Sequence, residues 1–286
     1  MFDEIERFVN WIHRRNPGAH TWQDYRCDLQ QFAAIMGDRP PTAVTINDID
    51  HFITVQVDQG LNPATINRHL AAILSFYSFL ADEQPDLVCP VLPHRHTLRQ
   101  RRRLPRPVPQ ADLDRFLAVI DDVRDQAMFL LMLRCGLRIG EVASLKIRDL
   151  YLAESPPRLL VIGKGNRERA VYLSPQAAFA LRHYLAERPL STSDHVFLSY
   201  QLDGLSTTAI HKRLMHYRQQ AGVHLTAHQL RHTFANDLVA ADVPVTTVQK
   251  LMGHAWLTTT QTYIAANDHQ VQADFYQAVT AMAGWQ

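Results

Sequence analysis

The octapeptide HQLRHTFA, residues 228–235, sets His228 and His232 four positions apart with Arg231 directly before the second histidine. On a helix, residues i and i+4 share a face, so the two histidines could ligate one zinc ion, as in a metal-dependent hydrolase. His228 and Arg231 also lie on neighbouring faces and could grip a phosphate with no metal. The zinc chemistry needs a glutamate between the histidines to activate the bound water. Position 229 is glutamine, which cannot take that proton, and Arg231 would set a fixed positive charge beside the cation. A third ligand would still be required, and 15 histidines make a chance pair easy to find. The reading without chemistry is a plain helix. Its buried stripe would be Ala227, Leu230, Phe234, Leu238 and Ala241, leaving His228 and Arg231 at the edge, where side chains can reach into a cleft.

The phosphate reading gains from other segments. CGLRIGE contains Arg138, the turn of RLLVIGKGNRERAVYL contains Lys164, and VQKLMGHAWLTTTQTYIAA contains His254 and Tyr263. Singly, each has a bland explanation: a surface ion pair, a solvated turn lysine, a packed tyrosine. Together they are the inventory for attacking a phosphodiester. Two arginines could hold the non-bridging oxygens with their planar forks, histidines could donate hydrogen bonds or move protons, a lysine could protonate a leaving oxygen, and a tyrosine could be the nucleophile. A phenol has a pKa of about 10, so attack near neutral pH needs a base or a positive field. Donors aimed at the charge that develops on the phosphate contribute roughly 3–4 kcal/mol each.

Helices and one hairpin must position these groups. NPATINRHLAAILSFYSFL opens with Asn62 as N-cap and Pro63 at the first helical position, and Ile66, Leu70, Ile73, Leu74, Tyr77 and Leu80 recur at helical spacing. An earlier helix, from about Thr21 to Met36, places Trp22, Tyr25, Leu29 and Phe32 on one side. Further on, 109–120 and 126–133 read as helices, with Gly136 as a stop. RIGEVASLKIRDL then turns Ile139, Val142, Leu145 and Ile147 toward a core. RLLVIGKGNRERAVYL has an apolar strand, a Gly-Lys-Gly-Asn turn and an alternating strand, a hairpin signature. Helices return from Pro175. The expectation is an all-α N-terminal domain and an α+β second domain, mainly helical with a small antiparallel sheet.

The net charge of +1 hides an uneven distribution. Residues 1–90 hold 6 Lys/Arg against 12 Asp/Glu, residues 91–110 hold six arginines and no acid, and the remainder is close to neutral. The basic stretch VLPHRHTLRQRRRLPRPVPQ also carries four prolines, which remove helix and sheet donors. It reads as an extended connector, residues 91–107, between domains at 1–90 and 108–286. Arg99, Arg101, Arg102, Arg103 and Arg106 are its candidate DNA contacts, since clustered arginine without acid favours phosphates; the bland reading is a solvated linker. The longest apolar run, Ala127–Leu133, ends at Arg134, too short to span a membrane. The N-terminus is acidic and amphipathic, so no signal peptide is expected. Cys27, Cys89 and Cys135 are scattered and odd in number, which points to a reducing cytoplasm.

In order and spacing, GLRIGEVASL, VIGKGNRERAVYL, HQLRHTFA, LMGH and TQTYI resemble the motifs of the tyrosine recombinases, the phage-integrase family. The resemblance implies a helical core-binding domain followed by the family's catalytic domain. It implies that Arg138 and Arg231 clamp the scissile phosphate and that Lys164 protonates the departing 5′ oxygen. His228 would help accept the tyrosine proton, and His254 would hydrogen-bond the phosphate. Tyr263 would form a 3′-phosphotyrosyl link, with Glu141 steadying a catalytic arginine. The implied reaction cuts and rejoins strands at specific sites in double-stranded DNA through a Holliday junction. It keeps bond energy in the protein–DNA ester, so no ATP, cofactor or metal is expected. The implied assembly is a homotetramer on DNA. Its protomers would be joined through the C-terminal helix DHQVQADFYQAVTAMAGW, whose apolar side is Val271, Phe275, Ala278, Val279 and Met282. A second recombinase or an accessory protein is a further possible partner, and no membrane is. With no extra domain expected before residue 1, the type is the simple two-domain one, as in dimer resolution and smaller mobile elements; the bound protein would sit on the bacterial nucleoid. A type IB topoisomerase shares this chemistry, and a DNA-binding regulator could share the fold without it.

Overall fold

Asparagine and proline start the longest helix of the N-terminal unit as their chemistry dictates. In the computed structural model, which describes residues 1–15, 21–37, 39–100, 108–163, 168–241 and 243–253, Asn62 accepts the Ala64 amide at 2.9 Å and Pro63 occupies the first turn. The chain divides into two units, Met1–Arg102 and Arg103–Gln286. The first contains α1 (Phe2–Arg15), α2 (Thr21–Met36), α3 (Ile46–Asp58), α4 (Pro63–Ala81) and the short α5 (Pro93–His96). Phe8, Phe32, Phe52, Phe76 and Tyr77 are fully buried at its centre, each worth roughly 1.5–3 kcal/mol of apolar burial. The Tyr77 hydroxyl donates to the Pro41 carbonyl at 2.8 Å, so its polar end is satisfied inside the core.

Residues 91–98, read from sequence as the start of an extended connector, pack on this first unit. Val91 and His96 are buried, and Asn67 exchanges two hydrogen bonds with the backbone of Leu98 at 2.9 Å each. The Arg95 guanidinium pairs with Asp50. Proline at the first position of α5 starts a helical turn there, and the asparagine side chain replaces the backbone partners an extended strap would leave in water.

The second unit is built around α7 (Val123–Cys135), buried on every side from Ala127 to Leu133 and packed against α9 (Pro175–Glu187) and α11 (Ala227–Ala240). It also holds α6 (Gln110–Ala118), α8 (Ile139–Ser144), α10 (Thr207–Gln220) and α12 (Val245–Met252). Strands β1 (Leu150–Tyr151), β2 (Arg158–Ile162) and β3 (Glu168–Tyr172) form an antiparallel sheet in that order, with Leu159 opposite Val171. The hairpin matches the alternation seen in sequence, whereas β1 has two residues, too few for a periodic signal. Ile147 departs from the expected core face and is 40% exposed. The backbone turns extended at Leu145, so the helical period of α8 ends before reaching it. Gly136 closes α7 in the left-handed conformation at φ 69°, as its place after the last periodic residue predicts. A Cβ there would also collide with the Phe234 ring, so both backbone and space require glycine.

Candidate active site

Glu141 stands in the third position of α8, where its carboxylate can turn back to the exposed amide at the helix start. Its Oε2 accepts the Arg138 amide at 2.8 Å. The Arg138 guanidinium donates to Oε1 at 2.8 Å, and Arg169 of β3 donates to both oxygens, at 2.6 and 2.9 Å. Arg231 of α11 brings Nη1 to 3.8 Å from Oε2. One buried carboxylate thus gathers three guanidinium groups from three elements. Burial by itself pushes the Glu141 carboxyl up, but the hydrogen bonds and charge of Arg169, then Arg138, more than reverse this and hold it below the usual range. One negative charge against three positive ones leaves a formal surplus of +2, fixed in place before any anion arrives.

Arg231 is only 2% exposed, so it does not lie at the edge of the α11 stripe as the helical pattern implied. The buried positions are Ala227, Leu230, Arg231, Thr233 and Ala235. Phe234 and Leu238 are partly buried beside Val248 and Met252 in a small separate cluster, and Ala241 is exposed. The reason is chemical. The two Nη groups of Arg231 donate to the carbonyls of Gly136 and Met252, which end α7 and α12. Helix C-termini present carbonyls without helical partners and carry partial negative charge, so they favour a buried guanidinium. Arg138 is more open, its side chain 35% exposed, and its Nη2 donates to the Gly253 carbonyl at 3.2 Å.

His228 and His232 pack edge to face with ring centroids 4.0 Å apart. Among the described residues, no three His, Cys, Asp or Glu side chains gather in a group that could hold a metal ion. Desolvation first, then the charges of Arg231 and Arg138, lowers the His228 pKa although part of its surface meets solvent, which favours the neutral, proton-accepting ring. His232 is half-buried and is pushed down to about 4, mainly by desolvation and then by His228 and Arg231. Its folded pKa lies below the ordinary 6.5, so the unfolded chain binds the extra proton. This contribution to stability is present above pH 6.5 and is lost as pH falls toward 4. Between pH 7 and 4.5 the wild type should lose roughly 2–3 kcal/mol more stability than His232→Gln, as measured by urea unfolding at both pH values.

Lys164, His254 and Tyr263 lie outside the described residues, as do Arg101, Arg102, Arg103, Arg106 and the C-terminal helix. Arg99 is described and exposed, on the first unit. Sequence reasoning passed over Arg169. A signal was available: β3 alternates, and Arg169 shares the inward face with Val171, so a charge there requires a buried partner.

Residues 108–270 match the model of the phage integrase family, and residues 5–84 match the phage integrase N-terminal SAM-like domain. The chain belongs to the phage integrase family. One relative of the chain is tyrosine recombinase XerD of Oceanobacillus iheyensis, 32% identical over 96% of this chain and 97% of that one. Another is tyrosine recombinase XerC of Chromohalobacter salexigens, 34% identical over 96% and 95%. The integrase fold recurs in solved structures. XerH recombinase in a post-cleavage complex with palindromic difH substrate has TM-score 0.77 at 23% identity, covering 96% of this chain and 84% of that one. A lambda integrase dimer bound to a COC′ core site has TM-score 0.73 at 17% identity, covering 92% and 94%. The three-arginine cluster lies within the matched integrase segment, and α1 to α4 correspond to its SAM-like domain.

Proposed function

We propose that this chain is a site-specific tyrosine recombinase that cuts and rejoins double-stranded DNA at paired sites. The observation that supports it best is the convergence of Arg138 and Arg231 on Glu141, from helices far apart in sequence, to make a preorganised cationic seat. A scissile phosphate there accepts hydrogen bonds from Arg138 and Arg231, with His254 as a further donor. The Tyr263 hydroxyl gives its proton to a base helped by His228, and its oxygen forms a bond to phosphorus. The bond from phosphorus to the 5′ oxygen breaks, and that oxygen takes a proton from Lys164. The 3′-phosphotyrosyl ester keeps the energy of the broken bond, so a free 5′ hydroxyl on the partner duplex reverses the chemistry and exchanges strands. Four protomers on two duplexes pass through a Holliday junction by repeating this step on the second pair of strands. The C-terminal helix joins neighbouring protomers.

Arg7, Arg26, Arg39, Arg68 and Arg95 of the first unit are each held by a carboxylate. That leaves Arg14, Arg15 and Arg99, with the arginines of residues 101–106, to meet DNA phosphates from this side. Among the described residues no helix is long and apolar enough to cross a membrane, and the reaction places the protein in the cytoplasm on the nucleoid.

A nicked duplex carrying the site selected by this protein from a random DNA library tests the reading. A denaturation-resistant protein–DNA adduct should accumulate, at the same rate with and without EDTA. No adduct on a site that footprinting shows to be occupied would refute it. Loss of the adduct in EDTA with rescue by zinc would return attention to His228 and His232.

A further inference from the structure

We propose that Arg169 is a positioning residue for strand cleavage. It locks the β2–β3 hairpin, whose turn carries Lys164, to the α8 start that carries Arg138 and to the α12 end that leads into His254. The proposal rests on the recombinase reading and adds a residue to its machinery.

The geometry separates Arg169 from the arginines that would meet phosphate. Both Nη groups are committed to Glu141, at 2.6 and 2.9 Å, and Nε points to the Leu251 carbonyl at 3.4 Å. Its side chain is 13% exposed, against 35% for Arg138. A fork used in full on one carboxylate has little left for a substrate. It does carry information between elements. Arg169 lies in the strand that leaves the hairpin turn, Glu141 is in α8, and Leu251 is in the last turn of α12.

The glycine that ends α12 follows from the same contact. Gly253 has φ 58°, and a Cβ there would lie 2.9 Å from both Cδ and Nε of Arg169. The Arg169 stem therefore occupies the space a side chain would need, and the turn closes directly over it. Its carbonyl then receives Arg138 Nη2 at 3.2 Å. Arg138, the hairpin and the residue before His254 are thus held in register through one guanidinium and one carboxylate. Moving the hairpin away from α8 would break the bidentate pair, and moving it away from the α12 end would break the Leu251 contact. Partners that orient metal ligands from behind typically cost 10–100-fold in activity when removed, and a loss of the same order is expected for a group that orients a phosphate clamp.

The test compares Arg169→Gln, Arg169→Lys, Glu141→Gln and the double Gln variant on the selected nicked duplex. The first-order rate of adduct formation at saturating DNA should fall about 100-fold in Arg169→Gln, with the DNA Kd within about threefold of wild type. Arg169→Lys keeps the charge but not the fork and should recover tenfold at most. The double variant should lose no more than the worse single variant, because Arg169 acts through Glu141. In the free protein, amide exchange should rise together in residues 168–172 and 245–253 of Arg169→Gln. Additive losses, or a fall in DNA affinity with the rate at saturation unchanged, would overturn the proposal. If Arg169→Gln does not fold, Arg169→Lys decides by the same comparison of rate with affinity. If wild type forms no adduct, the recombinase reading fails, and exchange confined to the hairpin would still sink the coupling on its own.

Discussion

Tyr263→Phe is expected to abolish the covalent adduct while leaving DNA binding within about twofold. The substitution removes one oxygen and keeps the ring, so packing around it changes little. The chemistry changes completely, because the oxygen that would bond to phosphorus is gone. Removing a nucleophile from an assembled site costs at least about 10⁴-fold in other enzymes, and the arginines cannot replace it: they stabilise charge but supply no attacking electron pair. A denaturing gel of the nicked duplex separates the outcomes. A band of protein–DNA adduct that persists in Tyr263→Phe would mean that another side chain attacks, and the assignment of Tyr263 would be wrong.

Arg231→Lys is the second large effect, and it should appear in stability as well as rate. The guanidinium reaches two carbonyls on separate helix ends, Gly136 and Met252, while standing 3.8 Å from Glu141. A lysine has one compact ammonium and cannot span those positions with the same geometry. At least one buried carbonyl then loses its donor, at a cost of about 1–3 kcal/mol. For a unit of this size that is a fall in Tm of roughly 3–10 °C. The reaction should suffer more. A misplaced cation no longer presents donors where phosphate charge develops, and loss of one such donor lowers rates by about 10²–10³. Thermal unfolding and single-turnover cleavage measure the two effects separately. A variant with normal Tm and normal cleavage would show that the buried fork contributes to neither.

The paired histidines illustrate how spacing and environment divide the work. Spacing in HQLRHTFA correctly set His228 and His232 on one face, 4.0 Å apart at their ring centroids. The absence of a glutamate at 229 weighed against a zinc helix. Which protonation state they favour could not come from spacing, because desolvation and the charges of Arg138 and Arg231 set it, and these arrive from other elements.

Local chemistry made much of the fold legible. Asn62 and Pro63 start α4, Gly136 and Gly253 end α7 and α12 in the left-handed conformation, and alternation marks the hairpin, because these signals act within a few residues. The motif order pointed to the family for a similar reason: side chains that must meet one phosphate recur as strings in a set sequence. The burial of Arg231, the pairing of Arg169 with Glu141 and the folding of residues 91–98 onto the first unit were decided only in three dimensions. In each case the deciding partner is distant in the chain: carbonyls at helix ends for Arg231, a carboxylate in α8 for Arg169, and an asparagine in α4 for Leu98. A helical or strand period records which face is apolar. It cannot record that a cation on that face will be satisfied by backbone carbonyls from two other helices, and that pairing is what lets an arginine be buried there.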